Sequence, residues 1–269
     1  MKSMPDQSDS LILIDHDGTL CQTNPSAYDS INYAIENALR TIKLTPKFID
    51  LDSIMTQLSG TTEKRLVQEL ISIYSIDLNK QSLFESSFYQ SRTNWYKTMK
   101  SHNEFIFDTY YPDMEYLVKR IVDNPHFHLG LVTGNPSPVI NIRLSPHIKD
   151  FFTQKKHLFG AFGEESTSRT ELILKAITKS KSVFPGFIPI KNSNGFFKNI
   201  FYIGDSKHDF IAGLTARVKT IYIPSRSLQH TKSVKNEEYV QLIDNILGGE
   251  LLVTNDCSSQ TTLDFVGIL

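Results

Sequence analysis

Cysteine is nearly absent from this chain, with two in 269 residues. Cys21 and Cys257 lie far apart in the sequence. They make neither a disulfide framework nor a zinc ligand set, and the compartment expected is a reducing one, the cytoplasm. An excess of one charge is missing as well. Lys and Arg number 28 against 29 Asp and Glu, a formal net charge of −1. No general electrostatic attraction to nucleic acid or to an anionic membrane is therefore expected, and no basic stripe or recognition motif is visible. Long apolar runs are lacking too. A membrane span takes roughly 20 consecutive apolar residues, whereas Leu11 to Ile14 is far shorter and stops at Asp15. The first ten residues are polar, so no secretory leader with an apolar core is expected. There is no internal repeat and no long low-complexity stretch. What is present, 40% hydrophobic and 21% charged residues, fits an ordinary globular protein of one or two domains and excludes a disordered or collagen-like chain.

Leu11 to Ile14 is a continuous apolar run, as a strand buried on both faces requires. It ends at Asp15-His16-Asp17-Gly18-Thr19. From Asn24-Pro25 to Asn103 the pattern turns helical. Ile31, Ile35, Ala38, Leu39 and Ile42 recur at helical spacing. Leu66, Val67, Leu70, Ile71 and Tyr74 repeat it, and Leu83, Phe84, Phe88, Trp95 and Met99 do so more loosely. The aromatic residues here, with Tyr89 and Tyr96, read as the core of this block. Beyond Tyr110, helices alternate with strands. The helices are expected at Pro112 to Val122, after Pro136, from Ser168 to about Lys179, from about His208 to Ala216 and around Glu237 to Leu247. The strands are expected at Phe127 to Val132, Leu158 to Phe162, Ile200 to Ile203 and Thr220 to Ile223. Ser182 to Asn199 reads as a loop. Such alternation argues for an α/β fold with a parallel sheet covered on both faces, and ligands then sit beyond the carboxyl ends of the strands.

Three strand ends carry the chemistry. Asp15 and Asp17, with Gly18 to permit a turn, can project two carboxylates toward one site. Thr133-Gly134-Asn135-Pro136 offers a hydroxyl, then an Asn at the N-cap with Pro at the first helical position, and so free N–H groups for an anion. Gly204-Asp205-Ser206-Lys207-His208-Asp209 adds an acidic pair at i, i+4. Hard oxygens from separate strand ends suit Mg²⁺. Ser168 with Glu171 three residues on reads as a capping box.

In this order, the segments resemble the motifs of the haloacid dehalogenase superfamily. Asp15-His16-Asp17-Gly18-Thr19 is similar to its first motif, Thr133 to its second, and Gly204-Asp205 with Asp209 to its fourth. The resemblance runs from Leu11 to about Ile223. The helical insert resembles the cap of the phosphoglycolate phosphatase and β-phosphoglucomutase branch. It implies a Rossmann-like parallel-sheet core over residues 1–23 and 104–269, with an inserted all-helical cap over 24–103. The lysine usual in the third motif has no direct counterpart. Arg169, in the first turn of the Ser168 helix, matches best, ahead of Lys155 and Lys156. Arginine keeps the charge but spreads it over a planar fork.

The resemblance implies a phosphatase that hydrolyses a small phosphorylated metabolite through an aspartyl-phosphate. Asp15 would be the nucleophile and Asp17 the acid and then the base. Asp17 would have to start protonated, so its pKa would need to rise above the usual ~3.9. Mg²⁺ would be held by Asp15, the backbone carbonyl of Asp17, and Asp205, with Asp209 on a metal-bound water or orienting the loop. Thr133 would bond a phosphoryl oxygen, and backbone groups around Gly18 and Gly134, with Asn135, would line the phosphate. Asp15, Asp205 and a dianionic phosphate sum to about −4, and Mg²⁺ with Arg169 returns about +3. Gly60, Thr61, Thr62 and Arg65 sit where related enzymes place a substrate-facing loop. Arg65 has two readings, a group that binds an acidic or sugar moiety and an exposed helix-surface arginine. His16 faces the cap or packs, and Cys21 reads as a small residue at the hinge. The alternatives to a phosphatase are a phosphomutase of the β-phosphoglucomutase type and a non-catalytic binding protein of the same fold. Retention of Asp15, Asp17 and Asp205 argues against the last.

Overall fold

The computed structural model describes residues 9–24, 26–45, 61–102, 107–224 and 250–268. Pro25, Gly60 and the helix expected around Glu237 to Leu247 lie outside them. The chain opens with strand β1 (Ser10–Ile14), followed by helices α1 (Ser26–Thr41), α2 (Glu63–Ile73) and α3 (Leu78–Ser101). Then come α4 (Pro112–Val122), β2 (Phe127–Val132), α5 (Ser137–Arg143) and α6 (Pro146–Phe151). A small hairpin of β3 (Thr153–Gln154) and β4 (His157–Leu158) leads to β5 (Gly160–Ala161) and α7 (Arg169–Val183). The remainder is β6 (Phe197–Gly204), α8 (Lys207–Thr215), β7 (Val218–Tyr222), β8 (Leu251–Val253) and α9 (Gln260–Val266).

Six strands form one sheet in the order β5-β2-β1-β6-β7-β8, and every pairing in it is parallel. β1 is central. Its residues Leu11 to Ile14 have no exposed surface because each face of the strand is covered. Ile12 and Ile14 join Met114, Leu117, Val118, Ile121 and Leu263 on one side. Leu11 and Leu13 join Leu172, Ile173, Ala176 and Ala212 on the other. Burying side chains of this size stabilises the fold by about 1.5–3 kcal/mol each. The chain builds outward from β1 through β2 to β5, then returns to β1's other side with β6. The order reverses between β1 and β6, and in such sheets ligands sit beyond the strands' carboxyl ends at that point.

Between β1 and β2, the described residues before α4 hold helices and no strand. Ile31, Ile35, Leu39, Leu66, Leu70, Phe84 and Phe88 pack into a cluster of their own, away from the two sheet faces. The buried residues of α3 are Phe84, Phe88, Arg92 and Tyr96, one per turn. Leu83 is half exposed, and Trp95 stands edge-on to Tyr96.

Several expectations shift. β6 starts at Phe197 rather than Ile200, because its first residues pair beyond the apolar run. The Ser168–Glu171 capping box is only half made. Ser168 Oγ accepts from Glu171 N, but the Glu171 carboxylate accepts from Ser166 Oγ instead of the Ser168 N–H. The complete box lies at Ser206 and Asp209. β8 and α9 sit in a C-terminal stretch whose sequence pattern is weak. No described helix is long and apolar enough to cross a membrane.

Candidate active site

Asp15 follows β1 directly, and its N–H still bonds Ile203 O of β6 at 2.9 Å. The ladder therefore carries it to the reversal point, where it is 4% exposed. The chain then turns tightly. Leu20 N donates to His16 O at 3.0 Å and Gly18 N to Cys21 O at 2.7 Å. Gly18 has φ +81°, and a Cβ there would strike the Asp205 carboxylate. Both the positive φ and the close approach demand glycine. Gly18→Ala is expected to cost about 1–3 kcal/mol, read as a lowered Tm; an unchanged Tm would contradict the close approach. Thr19 Oγ1 donates to Asp205 Oδ1 at 2.9 Å and locks the turn to the end of β6.

Asp15, Asp205 and Asp209 bring carboxylate oxygens within 4.8 Å of one another, all buried. Arg169 Nη1 lies 2.8 Å from Asp15 Oδ1 and 2.5 Å from Asp209 Oδ1. The Tyr202 hydroxyl also donates to Asp209 Oδ1. Asp209 Oδ2 accepts from Ser206 N and Oγ, so this residue orients the loop and opens α8. Burial raises the Asp15 carboxyl well above its usual range, Arg169 opposes this, and the charges of Asp209 and Asp205 add to the rise. Burial and then Asp209 push Asp205 up to about 7. One guanidinium does not balance three buried carboxylates. Hard oxygen donors with surplus negative charge fit a divalent cation such as Mg²⁺.

Arg169 stands in the first turn of α7 beside Asp15 and Asp209, whereas Lys155 and Lys156 lie elsewhere. Those two sit exposed at the tip of the β3–β4 hairpin with φ 50° and 74°. Arg169 Nε is buried without a hydrogen-bond partner, which leaves a donor for an anion.

Asp17 faces a different set of groups. Arg143 Nη2 lies 2.5 Å from its Oδ1, and Arg143 Nη1 donates to Oδ2 at 3.2 Å. Asn135 Nδ2 donates to Oδ2 at 2.5 Å. Burial alone would raise the Asp17 carboxyl, but Arg143 and then His16 outweigh it and hold it well below the usual range. This corrects the expectation of a raised pKa, because the partner that decides it is an arginine.

The Thr133 segment also departs from expectation. Helix α5 begins at Ser137, so Asn135 is not its N-cap. The Glu164 carboxylate accepts from Ser137 N at 3.1 Å and occupies that helix end. The free N–H groups expected for an anion at the helix end are therefore taken. Thr133 is buried, and its Oγ1 accepts from Asn135 N at 3.2 Å and Nδ2 at 3.3 Å, so its own O–H remains a donor. Gly134 is packed tightly, and a Cβ there would strike Thr61 O. Glu63 N donates to Gly134 O at 2.8 Å and Lys64 N to Gly163 O at 3.0 Å, which docks the start of α2 beside Thr133. Thr62 caps that helix. Arg65 points elsewhere: it is half exposed and pairs with Glu69 at 2.5 Å on its own helix, which is the surface reading rather than the substrate-binding one.

His16 is fully buried, with Nε2 3.1 Å from Asp108 Oδ2 and Nδ1 3.5 Å from Asp17 Oδ2. Cys21 Sγ lies 3.7 Å from both ring nitrogens. Burial pushes the Cys21 thiol up to about 11, so it is neutral and unreactive. Residues that the sequence reading passed over are Arg143, Asp108, Tyr202 and the buried pair Glu63–Arg92 at 2.6 Å. The available signal was an arginine in the buried phase of a helix. Arg92 falls between Phe88 and Tyr96 at steps of four, and Arg143 one turn after Val139 and Ile140.

The model of the haloacid dehalogenase-like hydrolases matches residues 12–223. No curated protein matches the chain. Among solved structures the chain is similar to CbbY from Rhodobacter sphaeroides in complex with phosphate, at 13% identity and TM-score 0.58, over 96% of this chain and 99% of that one. It is also similar to a family IA, variant 3 HAD hydrolase from Entamoeba histolytica, at 15% identity and TM-score 0.54, over 96% and 98%. A hydrolase from Pseudomonas syringae matches at 14% identity and TM-score 0.53, over 95% and 98%. At these identities the likeness is one of fold.

Proposed function

The chain belongs to the haloacid dehalogenase-like hydrolase family, and from that premise we propose that it is a Mg²⁺-dependent phosphatase acting on a small phosphomonoester through an aspartyl-phosphate at Asp15. The observation that carries this reading is the contrast in surroundings between the two carboxylates that follow β1. Asp15 faces Arg169 and two further carboxylates. Asp17, two residues on, faces Arg143 and Asn135. Two carboxylates in unlike settings suit a nucleophile and an acid–base group.

Asp15 would attack phosphorus in line as the bond to the leaving oxygen breaks. That oxygen would take a proton from Asp17, which Arg143 holds ionised before substrate binds and which would first gain that proton from the monoanionic ester as the phosphate's negative charge arrives. A water would then attack phosphorus of the aspartyl-phosphate, give its proton to Asp17, and free both phosphate and Asp15. Arg169 Nε and the Thr133 hydroxyl would hold phosphoryl oxygens. Asp15, the Asp17 carbonyl and Asp205 would hold the cation, with Asp209 fixing Arg169 and the loop. When bound, the cation supplies positive charge against the phosphoryl oxygens. The α1–α3 segment, residues 24–103 with its flanks, would be the cap that excludes water. Its buried Glu63–Arg92 pair would stand close to the substrate, since Glu63 N is bonded to Gly134.

Phosphate release from a panel of small phosphomonoesters, with Mg²⁺ and with EDTA, tests the reading. Metal-dependent release is expected. Equal release in EDTA would overturn the metal's part, and no release from any ester would overturn the phosphatase.

Cation binding also has a reading without turnover. Asp205 has its folded-state pKa raised to about 7, and Asp15 is raised as well. A raised carboxyl contributes stability that is full below the unfolded pKa and is lost as pH climbs through the folded value. A cation relieves that loss and must otherwise displace protons. Mg²⁺ should therefore raise Tm more at about pH 8 than at about pH 5.5. An equal or larger rise at the lower pH would contradict the assignment.

A further inference from the structure

Arg143 ends α5 with no exposed surface. A guanidinium that deep is costly unless its N–H groups are partnered, and here they serve two carboxylates. Nη1 and Nη2 grip both oxygens of Asp17. Nε donates to Asp108 Oδ1 at 3.2 Å and Nη2 to the same oxygen at 3.0 Å. Asp108 is itself tied down. Asn24 Nδ2 donates to its Oδ1 at 3.1 Å, and His16 Nε2 lies 3.1 Å from its Oδ2.

The placement of these partners gives the cluster its meaning. Asn24 lies where the chain leaves the sheet for the helical segment, and Asp108 lies where it returns. The two connections run side by side, with Gln22 N bonded to Thr109 O at 2.8 Å and Cys21 bridging Tyr110. Arg143 thus fastens the Asp17 carboxylate to the returning connection directly, through Asp108, and to the outgoing one through Asn24 on that same Asp108 oxygen. A two-pronged arginine fixes a carboxylate's plane as well as its position. Asn135 completes the grip on Oδ2. A core that needed only filling would be served as well or better by an apolar side chain.

We propose that Arg143 is a positioning residue for Asp17, holding its carboxylate in the plane and place from which it exchanges protons with the leaving group and the attacking water, with Asp108 anchoring the guanidinium and Asn24 anchoring Asp108 from the connections to the helical segment. This rests on the acid–base reading of Asp17 given above.

The test is burst kinetics with p-nitrophenyl phosphate, whose phenolate departs without needing a proton. Asp17→Asn serves as the reference. Transfer to Asp15 then proceeds, while release of the phosphate, which needs a base, is slowed. Arg143→Met is expected to keep a burst of about one p-nitrophenolate per active site while steady-state kcat falls on the order of 10²-fold with KM little changed. On an alkyl phosphate the burst itself should be lost. Arg143→Lys keeps the charge without the fork and should recover kcat only in part. Should Arg143→Met fail to fold, Arg143→Lys and Asp108→Asn carry the same test, with smaller falls in kcat and an intact burst. A kcat within twofold of wild type, or a loss of burst amplitude in step with kcat in a folded variant, would overturn the proposal. If Asp17→Asn itself turned over like wild type, the underlying reading of Asp17 would fall instead.

Discussion

Replacing Asp15 by asparagine is expected to lower phosphomonoester turnover by at least about 10⁴-fold, because an amide supplies no attacking carboxylate oxygen. The fold should survive. Asparagine has nearly the shape of aspartate, and Arg169 keeps Asp209 as a partner at 2.5 Å. Stability should hold or rise, since the substitution removes a buried carboxylate whose charge is unfavourable there. Loss of turnover together with an unchanged or higher Tm is therefore the expected pair, a trade of function against stability common at active sites. Turnover above about a hundredth of wild type would contradict the nucleophile. A collapse in Tm would contradict the charge account.

The second large effect belongs to Arg169. Arg169→Met leaves Asp15, Asp205 and Asp209 without their guanidinium in a buried pocket. Removing one side of a buried ion pair costs about 3–5 kcal/mol. It also removes the buried, unpartnered Nε proposed to hold a phosphoryl oxygen, for which a fall on the order of 10²–10³-fold in kcat is expected. Arg169→Lys restores the charge without the fork. It should recover most of the Tm and part of kcat. Lys155→Ala, at the exposed hairpin tip, should change neither. Thermal melts and kcat on one ester settle the comparison. An Arg169→Met protein with wild-type kcat, or a Lys155→Ala protein without activity, would contradict the placement.

The sheet was legible in the sequence where burial is two-sided. Leu11 to Ile14 and Phe127 to Val132 are apolar runs that stop at polar, small residues, and both are strands at those places. The six-stranded parallel sheet and the helices between its strands follow the expected alternation. β8 and α9 were not legible. β8 is three residues long and α9 seven, too few to show a period. Asp15, Arg169, Asp205 and Asp209 come together because each follows a strand or opens a helix at the sheet's carboxyl edge, and Thr133 follows the neighbouring strand β2. Asn135 and Asp17 could be placed but not understood from sequence. Asn135 donates to Asp17, but Asp17's deciding partner, Arg143, is contributed by a helix far along the chain, and it reverses the sign of the expected pKa shift. Arg65 shows the converse limit. Helical spacing put it near a loop of interest, but its partner Glu69, one turn further on, fixes it on the surface.

The proposed reaction carries phosphate on Asp15. Borohydride reduces an acyl phosphate to the alcohol, so trapping during turnover followed by peptide mass spectrometry reads the position directly. Homoserine at residue 15, formed only when substrate is present, is the predicted result. Turnover without reduction there, or reduction at Asp17 or Asp205 instead, would contradict the account.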